Sequence, residues 1–519
     1  MPEPLTDNPI SATPGRIVRN TVSNSLSFAF LFASNLFLLP FIVHNLGDVY
    51  YGNIWAILGA LTAYMGLIDL GTGMAFVKFI SEYHTKGDKA SLLEVVNTGI
   101  VFYIVIGIVL LTFTWLAGGT ILALVGVPPN IMDDAVFVLR VGMLVFVIAN
   151  VVSPMTSVMI GIQRMDINAY ISIATQTVSI AGTIFVLLSG YGVRGLIINN
   201  LVIVLLNAIG LSWFAFRLVP ALRIGLRYCK LSMTRRFLGY GANLQVSKLA
   251  QIVLFQTDRI LCLRFFGGSM ATYYDIGARL NSAGRSVATL SVSALVPAVA
   301  ELEALQHGEK IRTLYARGSK YIAVVASYLF LFLGVFAPEI IRVWFGDERF
   351  LASVMIVRVL AFGYFFNIIT GVASSLAAGL GKTEFDRRYG IFTSVFNLIA
   401  TIGLSLAMGP VGIALGTSLS LTLGAVYYLL LFHGYIKVSL VEVLRLFGRP
   451  MLTGVLASAV AWSVAALIPV NGPTRFEHGV LLVATLVIYS ALFAGLLALF
   501  RVFDSYDRQL VRLILGKTA

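Results

Sequence analysis

Seven basic side chains lie within long apolar segments of this chain, and four of them cluster between residues 248 and 285. A charge at the centre of a membrane helix costs at least about 2.5 kcal/mol, so such a residue reaches water, pairs with an acid or binds a ligand. Arginine suits phosphate because its planar guanidinium forms two parallel charge-assisted hydrogen bonds. We therefore predict an anion-binding site formed by Lys248, Arg259, Arg279 and Arg285.

The first two of these cations share one predicted helix face. Over residues 240–265, polar side chains recur at three- and four-residue steps, which place side chains on one side of a helix. This stripe is interpreted as one wall of a water-filled cationic cavity, and contacts between helices within one bundle are the alternative. Its members are Gln245, Lys248, Gln251, Phe255 and Arg259.

A second stripe is predicted on the helix over residues 272–301. Arg279 is followed at helical spacing by serine and threonine, whereas Arg285 points elsewhere. Asp275 lies one turn before Arg279, a spacing that favours an ion pair. Hydroxyl-rich walls suit a cargo dense in hydroxyl groups, so the expected ligand combines a sugar with an anionic group.

Two acids, Asp258 and Asp69, are predicted to lie at membrane depth. Asp258 directly precedes Arg259, and consecutive helical side chains point about 100° apart, so these two do not neutralise each other face to face. Asp258 is expected to turn towards a neighbouring helix, where Arg279 or Arg285 would pair with it, or to take a coupling proton. Asp69 precedes a flexible glycine pair and is assigned to a bend or an inner gate.

The three remaining cations have structural explanations. Arg140 and Arg358 each lie near the predicted outer end of a helix, where a long side chain reaches water. They also occupy matching places in an internal repeat, which indicates an inherited structural role. Lys78 lies near an inner helix end and is expected to reach water in the same way.

The elements that must position these residues are membrane helices. Of the 519 residues, 58% are hydrophobic and 12% are charged, whereas roughly a quarter of the residues of a soluble domain are charged. Apolar runs of membrane-spanning length recur to the end of the chain, and they are too long and continuous for barrel strands. The sequence therefore predicts an all-α integral membrane protein with about fourteen transmembrane helices.

The net charge of +13 is explained by orientation. With the N-terminus inside, most lysines and arginines fall in the tails and inner loops, as the positive-inside rule requires. Both termini are then predicted to be cytoplasmic, and the charge indicates no nucleic-acid partner. The scattered histidines and the two separate cysteines predict neither a metal site nor a cofactor.

An internal repeat divides the helices into two sets. Similar stretches recur at offsets of 217 to 221 positions, such as GIQRMD at 161–166 and GLGKTE at 379–384. Each unit holds about six helices, so both units face the same way, related by an axis along the membrane normal. The predicted organisation is a disordered cytoplasmic tail (1–15), an N-terminal six-helix lobe (16–218), a basic cytoplasmic linker (219–239), a C-terminal six-helix lobe (240–436), two additional transmembrane helices (437–502) and a cytoplasmic tail (503–519).

Three stretches carry a resemblance to a known family: LIDLGTGMAFVKFISEYHTKGDK (67–89), TDRILCLRFFG (257–267) and YYDIGARL (273–280). They resemble the polysaccharide transporter group of the multidrug/oligosaccharidyl-lipid/polysaccharide exporter (MOP) superfamily, which includes O-antigen (Wzx-type) flippases. The resemblance covers essentially the whole chain, and the order and spacing of the motifs carry its specificity. It implies a V-shaped, MATE-like pair of lobes that works by alternating access.

The resemblance implies a flippase for an undecaprenyl-diphosphate-linked oligosaccharide, which would move from the inner to the outer leaflet of a bacterial inner membrane. Basic residues of the cavity would bind the diphosphate and acidic sugars, while the polyprenyl tail would stay among membrane lipids. Coupling to H+ or Na+ is expected of the superfamily, although no residue indicates which ion. The polysaccharide polymerase machinery is an expected partner.

Two alternatives remain. A cation-coupled drug antiporter of the same superfamily would more naturally place carboxylates in its cavity, where this sequence offers mainly arginine. An integral-membrane polysaccharide polymerase or glycosyltransferase would need a sizeable extramembrane loop with catalytic acids, and the predicted outer loops are short. A transporter rather than an enzyme is therefore favoured.

Overall fold

The computed structural model describes residues 14–69, 72–290, 308–468, 474–504 and 507, and within them the chain is almost entirely helical, without a β-strand. Ten helices of these residues are long and apolar enough to cross a membrane. The prediction of an all-α, multi-pass membrane protein is confirmed. The helices are α1 (Pro14–Leu46), α2 (Ile57–Met65), α3 (Thr72–Thr85), α4 (Lys89–Val125), α5 (Met132–Gly161), α6 (Met165–Leu188), α7 (Gly192–Leu218), α8 (Leu231–Phe266), α9 (Gly268–Leu290), α10 (Gly308–Val335), α11 (Ala337–Phe345), α12 (Val354–Ile369), α13 (Gly371–Gly379), α14 (Glu384–Met408), α15 (Pro410–Ile436), α16 (Leu440–Ala466) and α17 (Arg475–Leu499).

The predicted spans fall on these helices one after another, including the span over 272–301, which is described as far as residue 290. Four of them correspond to α2 with α3, α8, α9 and α16, which are not among the ten helices that meet the length and hydropathy requirement. The number fourteen therefore stays a prediction.

The predicted helix over residues 49–80 is interrupted. A π-helical turn at Tyr51–Ala56 precedes α2, and a 3₁₀ turn at Gly66–Asp69 follows it. The side chain of Asp69 and the residues between this turn and α3 lie outside the described part of the chain. The assignment of Asp69 to a bend or gate therefore stays a prediction.

Helix α4 shows how the sequence sets helix limits. The carboxylate of Asp88 accepts a hydrogen bond of 3.0 Å from the backbone N–H of Ser91, which caps the helix and lowers the pKa of Asp88. At the other end Gly126 takes a left-handed conformation with φ of 99°, which glycine adopts without strain. With 37 residues, α4 is about 55 Å long and exceeds the roughly 30 Å hydrocarbon core of a bilayer.

The helices form two compact units. The first unit comprises the described residues up to Ile252 together with Arg259–Thr272, and the second comprises Val253–Asp258 together with those from Tyr273 onwards. Helix α8 thus contributes residues to both units.

A buried core of the first unit lies where helices α3 to α7 and the start of α8 meet. The rings of Phe76 and Phe237 are both fully buried and meet edge to face, with centroids 4.7 Å apart. A Cβ added at Gly99 would lie 2.8 Å from the Phe76 ring, so the absence of a side chain lets α4 approach α3.

In the second unit, the two additional helices predicted at the end of the chain pack against α10 and the start of α11. Phe336, Tyr489 and Phe493 belong to one buried cluster, and the Tyr489 hydroxyl donates to the carbonyl of Tyr328 at 3.0 Å. Burial of these aromatic side chains anchors α17 on α10.

Two glycines that the predicted internal repeat pairs, Gly195 and Gly412, each lie at a close contact. In the first unit, Gly195 at the start of α7 lies against Val186 near the end of α6, and an added Cβ would approach that side chain to 2.2 Å. In the second unit, Gly412 lies against Leu404, and an added Cβ would approach its carbonyl oxygen to 2.0 Å. Both helical hairpins therefore close on a glycine, which lies against a side chain in the first unit and against the backbone in the second.

A second close approach occurs within the first unit, between the turn before α2 and the start of α9. A Cβ at Gly52 would lie 1.8 Å from the carbonyl oxygen of Gly268. Beside it, the hydroxyl of Thr272 donates to the carbonyl of Asp48 at 2.5 Å. Only glycine allows these two backbones to come so near.

Candidate functional site

Asp258 forms the centre of a buried polar cluster in the second unit. Its side chain lies on α8 and the residue is 1% exposed. The hydroxyl of Tyr274 on α9 donates to Oδ2 of Asp258, and Oγ1 of Thr417 on α15 donates to the same oxygen at 2.6 Å. Hydrogen bonds to a buried carboxylate offset part of the loss of its hydration.

The cluster continues to α14 through Asn397. Its amide nitrogen donates to Oγ1 of Thr417 at 2.8 Å and to Oγ1 of Thr401 at 3.3 Å. Thr417 therefore accepts from Asn397 and donates to Asp258, which gives the chain one direction. These three residues are at most 2% exposed. We name Asp258, Tyr274, Asn397, Thr401 and Thr417 the acid cluster.

The ion pair expected between Asp275 and Arg279 is present. Nε of Arg279 lies 2.6 Å from Oδ2 of Asp275, whose side chain is fully buried, whereas the side chain of Arg279 is 40% exposed. Within one turn of α9, the buried carboxylate of Asp275 therefore fixes the partly exposed guanidinium of Arg279.

Arg285 lies on another side of α9, as predicted from its spacing. Its guanidinium stacks over the ring of Phe255 on α8 with 4.5 Å to the ring centroid, a cation–π contact. The hydroxyl of Ser282 lies 3.3 Å from that of Tyr364 on α12. Arg279 and Arg285 are therefore held by different partners within the same unit.

The hydroxyl stripe of α9 has a largely local role. Ser286 donates to the carbonyl of Ser282, and Thr289 donates to the carbonyl of Arg285, each at 2.9 Å. Serine and threonine inside helices commonly bond to the preceding turn in this way. Because both hydroxyl groups donate within α9, the polar stripe is weaker evidence for a sugar-binding wall than its spacing suggested.

The remaining predicted members lie in the first unit. Lys248 and Gln251 have exposed side chains, and Arg259 is half-buried. The side chain of Gln245 and the part of the second stripe beyond residue 290 lie outside the described residues. The role of this set as ligand contacts stays a prediction.

Arg140 and Arg358 make matching contacts with the preceding long helix of their units. Arg140 donates to the carbonyl of Trp115 at 3.3 Å and stacks over its ring at 4.0 Å. Arg358 donates to the carbonyl of Gly334 at 3.1 Å. The shared geometry is that of a structural brace. Lys78 is exposed and lies 5.6 Å from the ring centroid of Phe79.

The sequence prediction missed every partner in the acid cluster. Tyr274 and Thr417 are 16 and 159 positions from Asp258, so helical spacing links neither to it. The repeat offers a signal, because Ser179, Thr183 and Asn199 precede Asn397, Thr401 and Thr417 by 218 positions. Within the described residues, no group of three His, Cys, Asp or Glu side chains is arranged to hold a metal ion.

Known transporters share this fold. The inward-facing conformation of a multidrug resistance MATE family transporter of the MOP superfamily superposes with a TM-score of 0.68 at 16% identity, covering 81% of this chain and 98% of that chain. The lipid II flippase MurJ, in its inward closed conformation, superposes with a TM-score of 0.69 at 14% identity, covering 92% and 98%. The chain thus has the fold of MOP transporters.

The sequence comparisons narrow this class. A Shigella flexneri protein described as an O-antigen transporter is 20% identical over 375 residues, which cover 71% of this chain and 86% of that protein. The sequence profile of the family described as polysaccharide biosynthesis protein matches residues 17–303. The chain belongs to this polysaccharide biosynthesis family, and the resemblance inferred from its motifs is confirmed. The proteins it resembles are transporters rather than enzymes.

Proposed function

We propose that the protein is a flippase that moves a polyprenyl-diphosphate-linked oligosaccharide from the inner to the outer leaflet of a bacterial inner membrane. Family membership over residues 17–303 carries the proposal, and the O-antigen transporter and the lipid II flippase among the similar proteins support it. The polar headgroup of such a lipid does not cross hydrocarbon unaided, because its charges and hydroxyl groups lose their hydration there. The proposal puts both termini in the cytoplasm, and the distribution of lysine and arginine along the sequence supports this orientation.

Arg279 and Arg285 are the residues of the second unit best suited to the diphosphate. Arg279 keeps 40% of its side chain exposed while Asp275 orients it, and Arg285 is oriented by Phe255. Preorganised guanidinium groups bind phosphate with less loss of side-chain entropy. Arg259, Lys248 and Gln251 complete the proposed binding set.

Asp258 is the proposed coupling residue. A carboxylate that is 1% exposed and bonded to two hydroxyl groups changes its environment when it gains a proton or a Na+ ion. The acid cluster links that event to α9, α14 and α15, so the ion bound at Asp258 would bias the packing of three helices. Transport into vesicles under an imposed proton or sodium gradient distinguishes the two ions.

The test of the function is depletion of the protein in its host, followed by mass analysis of the lipid fraction. Accumulation of one lipid-linked oligosaccharide and loss of the surface polymer are expected. Wild-type protein should reverse both effects, and the Arg279→Ala/Arg285→Ala variant should not. The Arg140→Ala/Arg358→Ala variant is the matched control, since it removes two membrane cations that act as braces. An unchanged lipid fraction on depletion would refute the flippase.

The multidrug transporter among the similar structures supports a second candidate, a drug antiporter. It predicts that overexpression raises resistance to cationic drugs and that deletion leaves the surface polysaccharide unchanged. The guanidinium groups of Arg279 and Arg285 argue against a cationic cargo at the proposed site.

A further inference from the structure

The segment that joins α7 to α8 is clamped to the first unit. The buried side chain of Asn97 donates to the carbonyl of Arg223 and accepts from the N–H of Gly225, both at 2.8 Å. The N–H of Lys230 donates to Thr98 at 3.0 Å, and its ammonium group pairs with Glu94. These contacts fix one face of the segment against α4. Residues 219–237, which comprise this segment and the first two turns of α8, are called the clamped linker.

The apolar residues of the clamped linker divide into two groups. Val219, Leu222, Met233 and Phe237 are at most 8% exposed and join the core of the first unit. Ile224, Leu226 and Leu231 are 59%, 78% and 74% exposed. The three exposed residues lie within eight positions of one another, and grouped exposed apolar side chains mark sites of protein or membrane interaction.

Basic residues alternate with these exposed apolar residues. Five cations and no acid occur between residues 219 and 237, and all five side chains are exposed. Alternation of exposed aliphatic and basic side chains is typical of segments that lie in the lipid headgroup region. The five cations are Arg223, Arg227, Lys230, Arg235 and Arg236.

The end of α7 places the clamped linker at that depth. Trp213 is 53% exposed and carries the guanidinium of Arg217 at 5.1 Å from its ring. Tryptophan with a nearby arginine marks the boundary between hydrocarbon and headgroups. The linker starts directly after the last turn of this helix.

We propose that the clamped linker is a docking surface for anionic phospholipid headgroups. Ile224, Leu226 and Leu231 enter the boundary between headgroups and acyl chains, and the basic residues hold the phosphates around them. Opposite charge attracts the linker to anionic lipid, and the rigid attachment to α4 lets it bind without first ordering a loop. This inference does not depend on which cargo is transported.

The depth of the clamped linker in the membrane is tested with spin labels attached to introduced cysteines. The two native cysteines, Cys229 and Cys262, are first replaced by alanine. Labels introduced at Leu226→Cys and Leu231→Cys are compared with one at Ser232→Cys, a neighbouring exposed polar position. The full chain is reconstituted into phosphatidylcholine vesicles with and without phosphatidylglycerol. Labels at 226 and 231 should collide mainly with oxygen, and the label at 232 mainly with a water-soluble nickel chelate. Collision of all three mainly with the chelate would overturn the insertion.

Charge recognition is tested by native mass spectrometry of the protein with retained phosphatidylglycerol. The Arg223→Gln/Arg227→Gln/Arg235→Gln variant should retain less of this lipid, by about fivefold in affinity for each removed charge. The matched control neutralises Lys89, Lys310 and Arg387, three exposed cations elsewhere. Equal retention by the two variants, or equal retention of phosphatidylcholine and phosphatidylglycerol by the wild type, would refute the anionic docking surface.

Discussion

In each of the two units, an asparagine side chain joins two neighbouring helices, but it lies on opposite helices of the pair. In the first unit, Asn199 on α7 donates to Thr183 on α6 at 3.2 Å and to the carbonyl of Ser179. In the second unit, the asparagine is Asn397 on α14, and it reaches Thr417 on α15. The donating asparagine therefore lies on the second helix of the hairpin in the first unit and on the first helix of the hairpin in the second unit.

The exchange has a chemical consequence. In the first unit, Asn199 bonds only to neutral oxygens in the contacts described above. In the second unit, Thr417 accepts from Asn397 and donates its own hydroxyl hydrogen to the carboxylate of Asp258. The position that matches Asp258 in the first repeat is Leu38, so no acid is present there. Both units therefore have an asparagine-centred network between two helices, and in the second unit this network reaches an ionisable group.

A similar contrast occurs near the N-terminal ends of α6 and α14. Asn168 approaches the carbonyl of Thr156 at 3.5 Å, and the matching Asp386 accepts from the hydroxyl of Ser374 at 2.9 Å. At both places the two units thus share a polar contact between helices, and only the second unit has a carboxylate in it.

The largest effect is expected at Asp258. Asp258→Ala should abolish polymer export and lower the free energy of unfolding by about 3 kcal/mol, because two buried hydroxyl groups lose their acceptor. Asp258→Asn should retain most of the stability but not the export. Thermal unfolding in detergent and export assays measure the two effects. Full export by Asp258→Asn would show that the acid cluster is only structural, as in the first unit.

The second largest effect is expected for the ion pair of Asp275 with Arg279 on α9. Arg279→Gln should reduce export at least tenfold and destabilise the protein by about 1–2 kcal/mol, a value reduced from that of a fully buried pair because Arg279 is partly exposed. The Asp275→Asn/Arg279→Gln double variant should regain stability without regaining export. Recovery of both properties together would assign the pair a purely structural role.

Asn397 and Asn199 give a direct comparison of the two networks. Replacement of either by alanine should cost about 1–2 kcal/mol, since each leaves buried polar partners unsatisfied. Only Asn397→Ala should also shift the pH or sodium dependence of transport, because only its network ends at an acid. An equal shift from Asn199→Ala would contradict the proposed division between the units.

The smallest effects are expected at the braces. Arg140→Ala and Arg358→Ala should each lower stability by about 1 kcal/mol and leave export nearly unchanged. Arg140→Ala should have the larger effect, because it also loses the contact with the Trp115 ring. Melting temperatures of the two variants test this order. Loss of export without loss of stability in either would place that arginine in the transport path.

Local sequence patterns predicted the parts of the fold and site that depend on short separations. Apolar runs located the helices, and four-residue spacing located the pair of Asp275 with Arg279. The repeat placed Arg140 and Arg358 at matching positions, and each donates to a backbone carbonyl of the preceding long helix. These features are set by the helical period or by duplication, both of which a sequence records directly.

The partners of Asp258 could not be predicted because they depend on tertiary packing. Arg279 and Arg285 were its expected partners, whereas the structure adds the hydroxyl groups of Tyr274 and Thr417. Serine and threonine in α9 had indicated a cargo surface, yet Ser286 and Thr289 bond within their own helix. Periodicity identifies the polar side of a helix, but it does not identify the groups that form hydrogen bonds with the polar side chains there.

The close approach of Gly52 and Gly268 has a consequence for the origin of the chain. With the glycines at 47 and 267 aligned, Asp48 matches Gly268 and Gly52 matches Thr272. The contacts of Gly52 with Gly268 and of Thr272 with Asp48 therefore join the same two repeat positions in reciprocal order. Reciprocal contacts of this kind define an isologous interface between identical subunits. Duplication and fusion of a self-associating six-helix ancestor would leave contacts of this form.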